Sequence, residues 1–381
     1  MNEVNNIPEG WVETTLGGVM RISSGKARPK TFGNYPVYGG NGILDYADEF
    51  NFDNETIIVG RVGAYCGCVY YENGKFWLSD NALGIKSNEK SDIKFLYYYL
   101  ININLNKKSI GGAQPLLTQG ILNQIEIIIP QDIDEQKSIA SILTSFDDKI
   151  ELLQAQNKNL EELAQTIFKE WFGKYKVGDE LPEGWKEGKL GDEFDITIGR
   201  TPPRIEQEWF SETPTGKKWI SIKDMGNSGV FIFNTSEHLT DEAISKFNIP
   251  IIPENTTLLS FKMTVGKLTI TTEEMLSNEA IAHLKIKRDS YLTSEYIYLY
   301  LQNLDFNSLG STSSIVTAIN STIIKNLDFI IPQENILKEF QEIIHPIFNK
   351  IKTNTKQIQT LTKTRDELLP KLMSGEIRVK M

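Results

Sequence analysis

The chain has 381 residues, 40% of them apolar and 24% charged, with a net charge of −10 and two cysteines. That length exceeds one typical domain, and Cys66 and Cys68 with the scattered His238, His283 and His345 support neither a disulfide framework nor a metal site. No run approaches the ~18 apolar residues of a membrane span, and the N-terminal residues lack the basic and apolar regions of a signal peptide, so a soluble, cytoplasmic protein is expected.

In chain order, Ile7-Pro8-Glu9-Gly10-Trp11 opens a stretch that has no acidic residue from Thr14 to Leu44 yet carries Arg21, Lys26, Arg28 and Lys30. Tyr35–Gly42 is expected to be a loop dense in glycine and aromatic residues. Glu55–Val62 and Gly67–Tyr71 read as strands around a turn at Gly63. Ser91–Ile103 reads as an amphipathic helix with Phe95, Leu96, Tyr99 and Leu100 on one face. Asn123–Ile129 reads as a strand stopped by Pro130. A second acid-free stretch, Ile93–Ile125, holds Lys94, Lys107 and Lys108.

Residues 133–175 predict one long helix. Ile139, Leu143, Phe146, Ile150, Leu153, Asn157, Leu160, Ala164, Ile167 and Trp171 alternate steps of four and three. That is the a/d seam of a coiled coil, although an ordinary long core helix would show part of the same pattern. About 40 residues at ~1.5 Å each make a rod of roughly 60 Å. Its surface is acidic, with Asp134, Glu135, Asp147, Asp148, Glu151, Glu161 and Glu162 among others.

The chain then repeats itself. Leu181-Pro182-Glu183-Gly184-Trp185 restates the opening motif, and at the same offset Leu16-Gly17, Gly25-Lys26 and Pro29-Lys30 become Leu190-Gly191, Gly199-Arg200 and Pro203-Arg204. Further on, Leu78-Ser79-Asp80 with Ala82 aligns by letter with Leu276-Ser277-Asn278 with Ala280, and Ile127–Gln131 with Phe329–Gln333. Such self-similarity marks a tandem duplication. Thr213–Lys218 is expected to be a loop. Thr256–Phe261 and Lys267–Thr271 are the matching strands, Thr293–Asn303 the matching helix and Leu327–Ile331 the matching closing strand.

A second seam follows at Phe340, Ile344, Ile347, Ile351, Asn354, Ile358, Leu361, Arg365, Leu368 and Leu372, with Pro346 and Pro370 expected to kink or delay its helix. Each seam holds one asparagine. A centred antiparallel pairing sets Asn157 opposite Asn354, whereas a parallel one leaves each opposite an apolar residue. A buried amide left unpaired costs roughly 1–3 kcal/mol, so an antiparallel pair with its register set by these two residues is expected.

Catalytic devices are missing. No phosphate-binding G-x-x-x-x-G-K-[ST] or G-x-G-x-x-G pattern is present, and Thr201-Pro202-Pro203-Arg204 only superficially matches the Asn-Pro-Pro-aromatic step of amino-methyltransferases. Recognition residues are plentiful. Lys26, Arg28, Lys30, Lys107 and Lys108 suit phosphates. Tyr38, Asn41 and Gln114 sit in glycine-rich loops, and Arg61 between two glycines suits guanine. In the second copy Arg200, Arg204, Lys217, Lys218, Lys223, Lys262 and Lys267 supply charge, while Asn227, Ser313 and Ser314 supply neutral donors. The copies keep their opening motif and helices while their loops diverge, which suits two readers of different sequences on one frame.

The opening motif, the Tyr-Pro-Val-Tyr-Gly-Gly-Asn-Gly loop, the Pro-Gln before each long helix and the tandem arrangement together resemble the specificity subunit of a Type I restriction-modification system, over essentially the whole chain. The resemblance implies an α+β protein with two mixed α/β target-recognition domains, separated by two long helices in an antiparallel coiled coil and related by a pseudo-twofold. The expected division is 1–131 and 178–332 for the recognition domains, 132–177 for the central helix and 333–381 for the C-terminal helix and tail. It also implies a non-catalytic chain that binds a bipartite site in double-stranded DNA and assembles with two modification subunits and, in some systems, restriction subunits. S-adenosylmethionine, ATP and Mg would belong to those partners. A two-headed adaptor binding proteins through the same loops, and a methyltransferase in its own right, are the alternatives from other functional classes.

Overall fold

The computed structural model describes residues 7–111, 114–211, 213, 215–262, 264–306 and 320–379. They form two compact units, Met1–Ile150 with Thr360–Met381, and Glu151–Gln359. Each unit is built on the same plan.

In the first, Trp11–Thr15 of the opening motif pairs antiparallel with Glu126–Pro130, Trp11 lying opposite Pro130. Met20–Ser24, Ala82–Ser87, Glu55–Gly60 and Val69–Asn73 make a four-stranded antiparallel sheet in that order. Gly42–Ala47, Tyr35–Gly39 and Trp77–Leu78 make a smaller sheet. The helix Ile93–Asn102 starts where the Asp92 carboxylate accepts from the Phe95 amide, satisfying one of the free donors of its first turn. Its Phe95, Leu96, Tyr99 and Leu100 pack with Ile57, Val59, Leu83 and Ile85. The expected loop at Tyr35–Gly42 is instead a hairpin, because the backbone of Tyr35–Gly39 pairs with Gly42–Ala47 on one side and Trp77–Leu78 on the other, and Gly42 takes the positive φ of +79° at the turn. The closing strand starts later than expected, after a short helix at Gln119–Asn123.

In the second unit Lys186–Lys189 pairs antiparallel with Asp328–Ile331. One sheet runs Phe194–Ile198, Ile281–Ile286, Thr257–Ser260, Leu268–Thr271 and Phe231–Ile232, the last pair parallel. The other runs Phe210–Ser211, Glu237–Leu239, Lys217–Ile220 and Leu276–Ser277. Lys217 and Lys218 therefore lie in a strand and not in the expected loop. Ser294–Gln302 is the matching helix, capped by Thr293.

Two helices of 40 residues, Ile133–Phe172 and Glu334–Met373, contribute to both units. The central helix stops three residues short of the expected 175, where Gly173 closes on the Lys169 carbonyl. The C-terminal helix neither starts late nor ends at its prolines. Pro346 removes one N–H from the ladder, but apolar packing on both sides, by Ile344 and Phe348, holds the turn.

The two helices run antiparallel within each unit. In the second, Asn157 meets Asn354, and Phe172 packs edge-on against Phe340 with centroids 4.8 Å apart. In the first, Asp147 accepts from Arg365 at 2.6 Å, and Ile139 and Leu143 share a core with Leu369 and Leu372. Towards the C-terminal ends the buried stripe slips by one residue in one helix, to Phe168 and Phe172, and in the other widens to take in Leu369 and Met373 beside Leu372. A strict seven-residue seam drifts around a helix of 3.6 residues per turn, and here the drift turns those side chains onto the globular part of each unit.

Candidate nucleic-acid interface

Each unit has the same hydrogen-bonded elbow. In the first, Gly25 N–H donates to Ala82 O at 3.3 Å and Lys26 N–H to Leu78 O at 3.0 Å. In the second, Gly199 donates to Ile281 O at 3.3 Å and Arg200 to Ser277 O at 2.9 Å. A Cβ on Gly25 would lie 1.9 Å from Ser79 O, and one on Gly199 2.2 Å from Ser277 O. Only glycine permits this approach, and it fixes a cation, Lys26 or Arg200, beside the turn.

The turn itself matches bond for bond. Ser79 N–H donates to Tyr38 O, and Asn278 N–H to Ile220 O; Ala82 closes on Ser79 O, and Ile281 on Asn278 O. Leu78, Ser79 and Ala82 are therefore equivalent to Ser277, Asn278 and Ile281. The letter match of Leu78-Ser79 to Leu276-Ser277 is out by one residue, because the strand ladder and not residue identity sets position.

A third loop completes the cluster. Gly60 N–H donates to Cys68 O and Gly67 N–H to Gly60 O, while Ser260 donates to Lys267 O and Gly266 to Ser260 O. Gly67 and Gly266 share a φ of +88° and +87°. Arg61 N–H donates to Asn81 O at 3.1 Å where Phe261 donates to Ala280 O at 3.0 Å.

In the first unit these loops gather several of the expected residues. Arg61 is held by its backbone between Asn81 and Leu117, whose N–H donates to Arg61 O at 2.8 Å. Its Nε is buried without a hydrogen-bond partner, and its guanidinium joins no ion pair among the described residues. Asn41 is exposed at the hairpin turn, beside Gly40, which abuts Asn81 O and Gly60. Gln114 is brought alongside by Gly63 N–H bonding Pro115 O at 3.0 Å. Lys107 and Lys108 lie on a 3-10 turn, tied to the Arg61 loop by Asn106 Nδ2 on Cys66 O at 2.8 Å. Lys30 is exposed, and Arg28 is pinned to Asp45.

Tyr38 is a correction. Its ring is buried against Phe76, and its hydroxyl donates to Glu72 Oε2 at 2.8 Å. Burial and the Glu72 carboxylate push its pKa up, so it is a core residue and not a surface contact.

In the second unit Arg204 is spent on Glu237, with bonds of 2.7 and 3.0 Å, and stacks over Phe210 and Trp219. Lys217 pairs with Glu274, and Lys218 with Glu273 and Phe233 O, so neither presents a free charge. Arg200 donates through Nη1 to Phe247 O at 3.0 Å. Lys223, Lys262 and Lys267 join no ion pair among the described residues, whereas Arg204, Lys217 and Lys218 each hold a carboxylate. Lys223 sits in the short helix Ile222–Asn227, which follows the strand where Asn41 follows its own, and Lys267 Nζ reaches Gly226 of that helix. Lys262 lies over the Phe261 ring. Ser313 and Ser314 lie outside the described residues.

Sequence reasoning missed two exposed apolar side chains on the elbow loops, Phe32 (82% exposed) beside Lys30 and Ile205 (91%) beside Arg204. Their signal was an apolar residue one or two places after the repeated Pro-basic step. Among the described residues no group of His, Cys, Asp or Glu could hold a metal ion, and no helix is long and apolar enough to cross a membrane.

The sequence profile of the Type I restriction modification DNA specificity domain matches residues 8–162 and again 182–363. The chain belongs to this family. It is 28% identical to the Type I restriction enzyme MjaIX specificity subunit of Methanocaldococcus jannaschii, over 99% of this chain and 96% of that one. It is 25% identical to the HindI specificity subunit of Haemophilus influenzae, over 74% and 77%. The crystal structure of a Type I restriction-modification S subunit from M. genitalium shares the fold, with a TM-score of 0.66 at 19% identity over 100% of this chain and 99% of that one. The duplicated elbow, found twice in the structure, thus corresponds to two copies of the family's specificity domain.

Proposed function

We propose that this chain reads a bipartite site in double-stranded DNA, one half-site per unit, as the specificity subunit of a Type I restriction-modification complex. The observation that carries this reading is the shared elbow. The same hydrogen bonds set Lys26 and Arg61 about the turn in one unit and Arg200 and Phe261, with Lys262 next to it, in the other, while Asn41 and Lys223 follow equivalent strands. One frame with two sets of side chains suits two different half-sites. Arg61 would read guanine through its free guanidinium, and Lys26, Lys30, Lys107, Lys108, Lys223, Lys262 and Lys267 would meet phosphates.

The chain would act without catalysis of its own, in the cytoplasm. Two modification subunits would carry S-adenosylmethionine and methylate the DNA, and restriction subunits, where present, would use ATP and Mg. The acidic sides of the long helices offer those proteins a surface, and the helices would set the spacing of half-sites about one turn, ~34 Å, apart.

The test is co-expression with a modification subunit and genome-wide mapping of methylated adenine. An asymmetric two-part motif with a fixed gap is expected, and absence of any motif would refute the reading. Inserting whole helical turns beside Asn157 and at the matching point of the C-terminal helix should lengthen the gap and leave both half-sites unchanged.

A further inference from the structure

The one-residue correction in the elbow turn brings two acidic residues into equivalence. With Ser79 matched to Asn278 and Ala82 to Ile281 by their hydrogen bonds, Asp80 falls on Glu279. Both are exposed, and both sit in surfaces otherwise rich in cations. Asp80 accepts no hydrogen bond and joins no ion pair among the described residues, and it adjoins Asn81, whose carbonyl holds the Arg61 backbone. Glu279 is oriented by a hydrogen bond from Thr201 Oγ1, on the loop that follows Arg200. Burial opposes its charge, but the Thr201 bond and the nearby Lys262 and Arg204 outweigh this and hold its carboxyl below the usual range, so it stays ionised.

A carboxylate facing a phosphate is repelled. In a surface that binds DNA, a charged acid is kept either by pairing with a cation of the protein, as Asp45, Glu237, Glu273 and Glu274 do, or by looking into a groove at base edges, and Asp80 and Glu279 join no ion pair among the described residues. There the donors that a carboxylate accepts are exocyclic amino groups, cytosine N4 first and adenine N6 second. The same turn carries an acid in both units although the flanking loops differ in length and sequence.

We propose that Asp80 and Glu279 are specificity-determining residues, each accepting a hydrogen bond from an exocyclic amino group of one base in the half-site its unit reads. This rests on the DNA-recognition reading above.

The experiment uses the full chain co-expressed with its modification subunits, and reads the methylated motif of the wild type, Glu279→Ala, Glu279→Gln and Asp80→Ala. Glu279→Ala should relax discrimination at one base pair of one half-site by roughly 5- to 150-fold, the span of a good base contact. The other half-site should stay unchanged, which also reports that the complex has assembled. Asp80→Ala should produce the mirror result, and Glu279→Gln should change preference at the same position as Glu279→Ala. An unchanged motif in the alanine variants, or methylation lost evenly at all positions in both Glu279 variants, would overturn the proposal while leaving the recognition reading standing. Failure of the wild type to give any motif would remove both.

Discussion

Asn354 donates from Nδ2 to Oδ1 of Asn157 across 3.0 Å, and Asn157 passes its own Nδ2 hydrogen to Thr355 Oγ1 at 3.1 Å. Asn354 is fully buried, and its Oδ1 has no hydrogen-bond partner in the structure. The pair therefore costs something in stability and returns register, since any slide of one helix on the other would leave the buried Asn354 amide and the half-buried Asn157 amide against apolar side chains. Asn157→Leu should destabilise the second unit by about 1–3 kcal/mol. Asn157→Leu with Asn354→Leu should recover most of that loss, at the expense of a unique helix register. Thermal unfolding measures the first effect, and disulfide trapping across the helices the second.

The C-terminal tail closes the first unit. Arg378 donates to both oxygens of Glu135, at 2.8 and 3.1 Å, and to Glu9 O at 2.9 Å. Glu135 is 4% exposed and also accepts from Trp11 Nε1. Arg378→Ala leaves that buried carboxylate short of its main partner. A loss of about 1–3 kcal/mol is expected, with faster amide exchange along Trp11–Thr15 as the local readout.

The elbow glycines tolerate no side chain. Gly25→Ala and Gly199→Ala each drive a methyl group into backbone carbonyls of the turn. Each should cost more than ~2 kcal/mol locally and degrade recognition of one half-site while sparing the other. Methylation mapping of the two variants side by side checks this, and equal damage to both half-sites in either variant would contradict it.

Arg61 and the lysines should separate by readout. Arg61→Met should relax one base position by about 1–3 kcal/mol. Lys107→Ala should weaken binding evenly and reduce the salt slope by about one. DNA-binding titrations of the assembled complex at several salt concentrations distinguish the two.

His283 adds a pH dependence. It is buried between Thr197 Oγ1 at 3.0 Å and Ser277 Oγ at 2.7 Å, and burial holds its pKa down to about 3. The unfolded chain takes up that proton near pH 6.5, while the folded chain resists it. Its contribution to stability is thus complete above about pH 6.5 and falls as pH drops towards 3, by about 1.4 kcal/mol per unit at most. Because Ser277 O holds the Arg200 elbow, the second unit should lose stability in this window. Imidazole resonances should show His283 still neutral at pH 5, and a midpoint near 6.5 in the folded protein would refute the assignment.

Periodicity, duplication and paired asparagines were all legible in the chain itself. They require only that apolar faces be buried and amides be paired, which local spacing encodes. The two long helices and their antiparallel sense followed from that, as did the strands Glu55–Gly60 and Thr257–Ser260 and the helices Ile93–Asn102 and Ser294–Gln302 to within a few residues, whereas the hairpin at Tyr35–Gly42 and the strand Lys217–Ile220 did not. The recognition surface was legible only as a list of basic residues. Tertiary packing decided which of the expected contacts are free: Tyr38 went into the core, Arg204, Lys217 and Lys218 were neutralised by Glu237, Glu274 and Glu273, and Arg61 was left without an ion-pair partner among the described residues. It also decided equivalence between the copies, aligning Asp80 with Glu279. The reason is physical. Position in a loop is set by backbone hydrogen bonds to strands distant in sequence, and charge is set by whichever carboxylate those strands bring alongside.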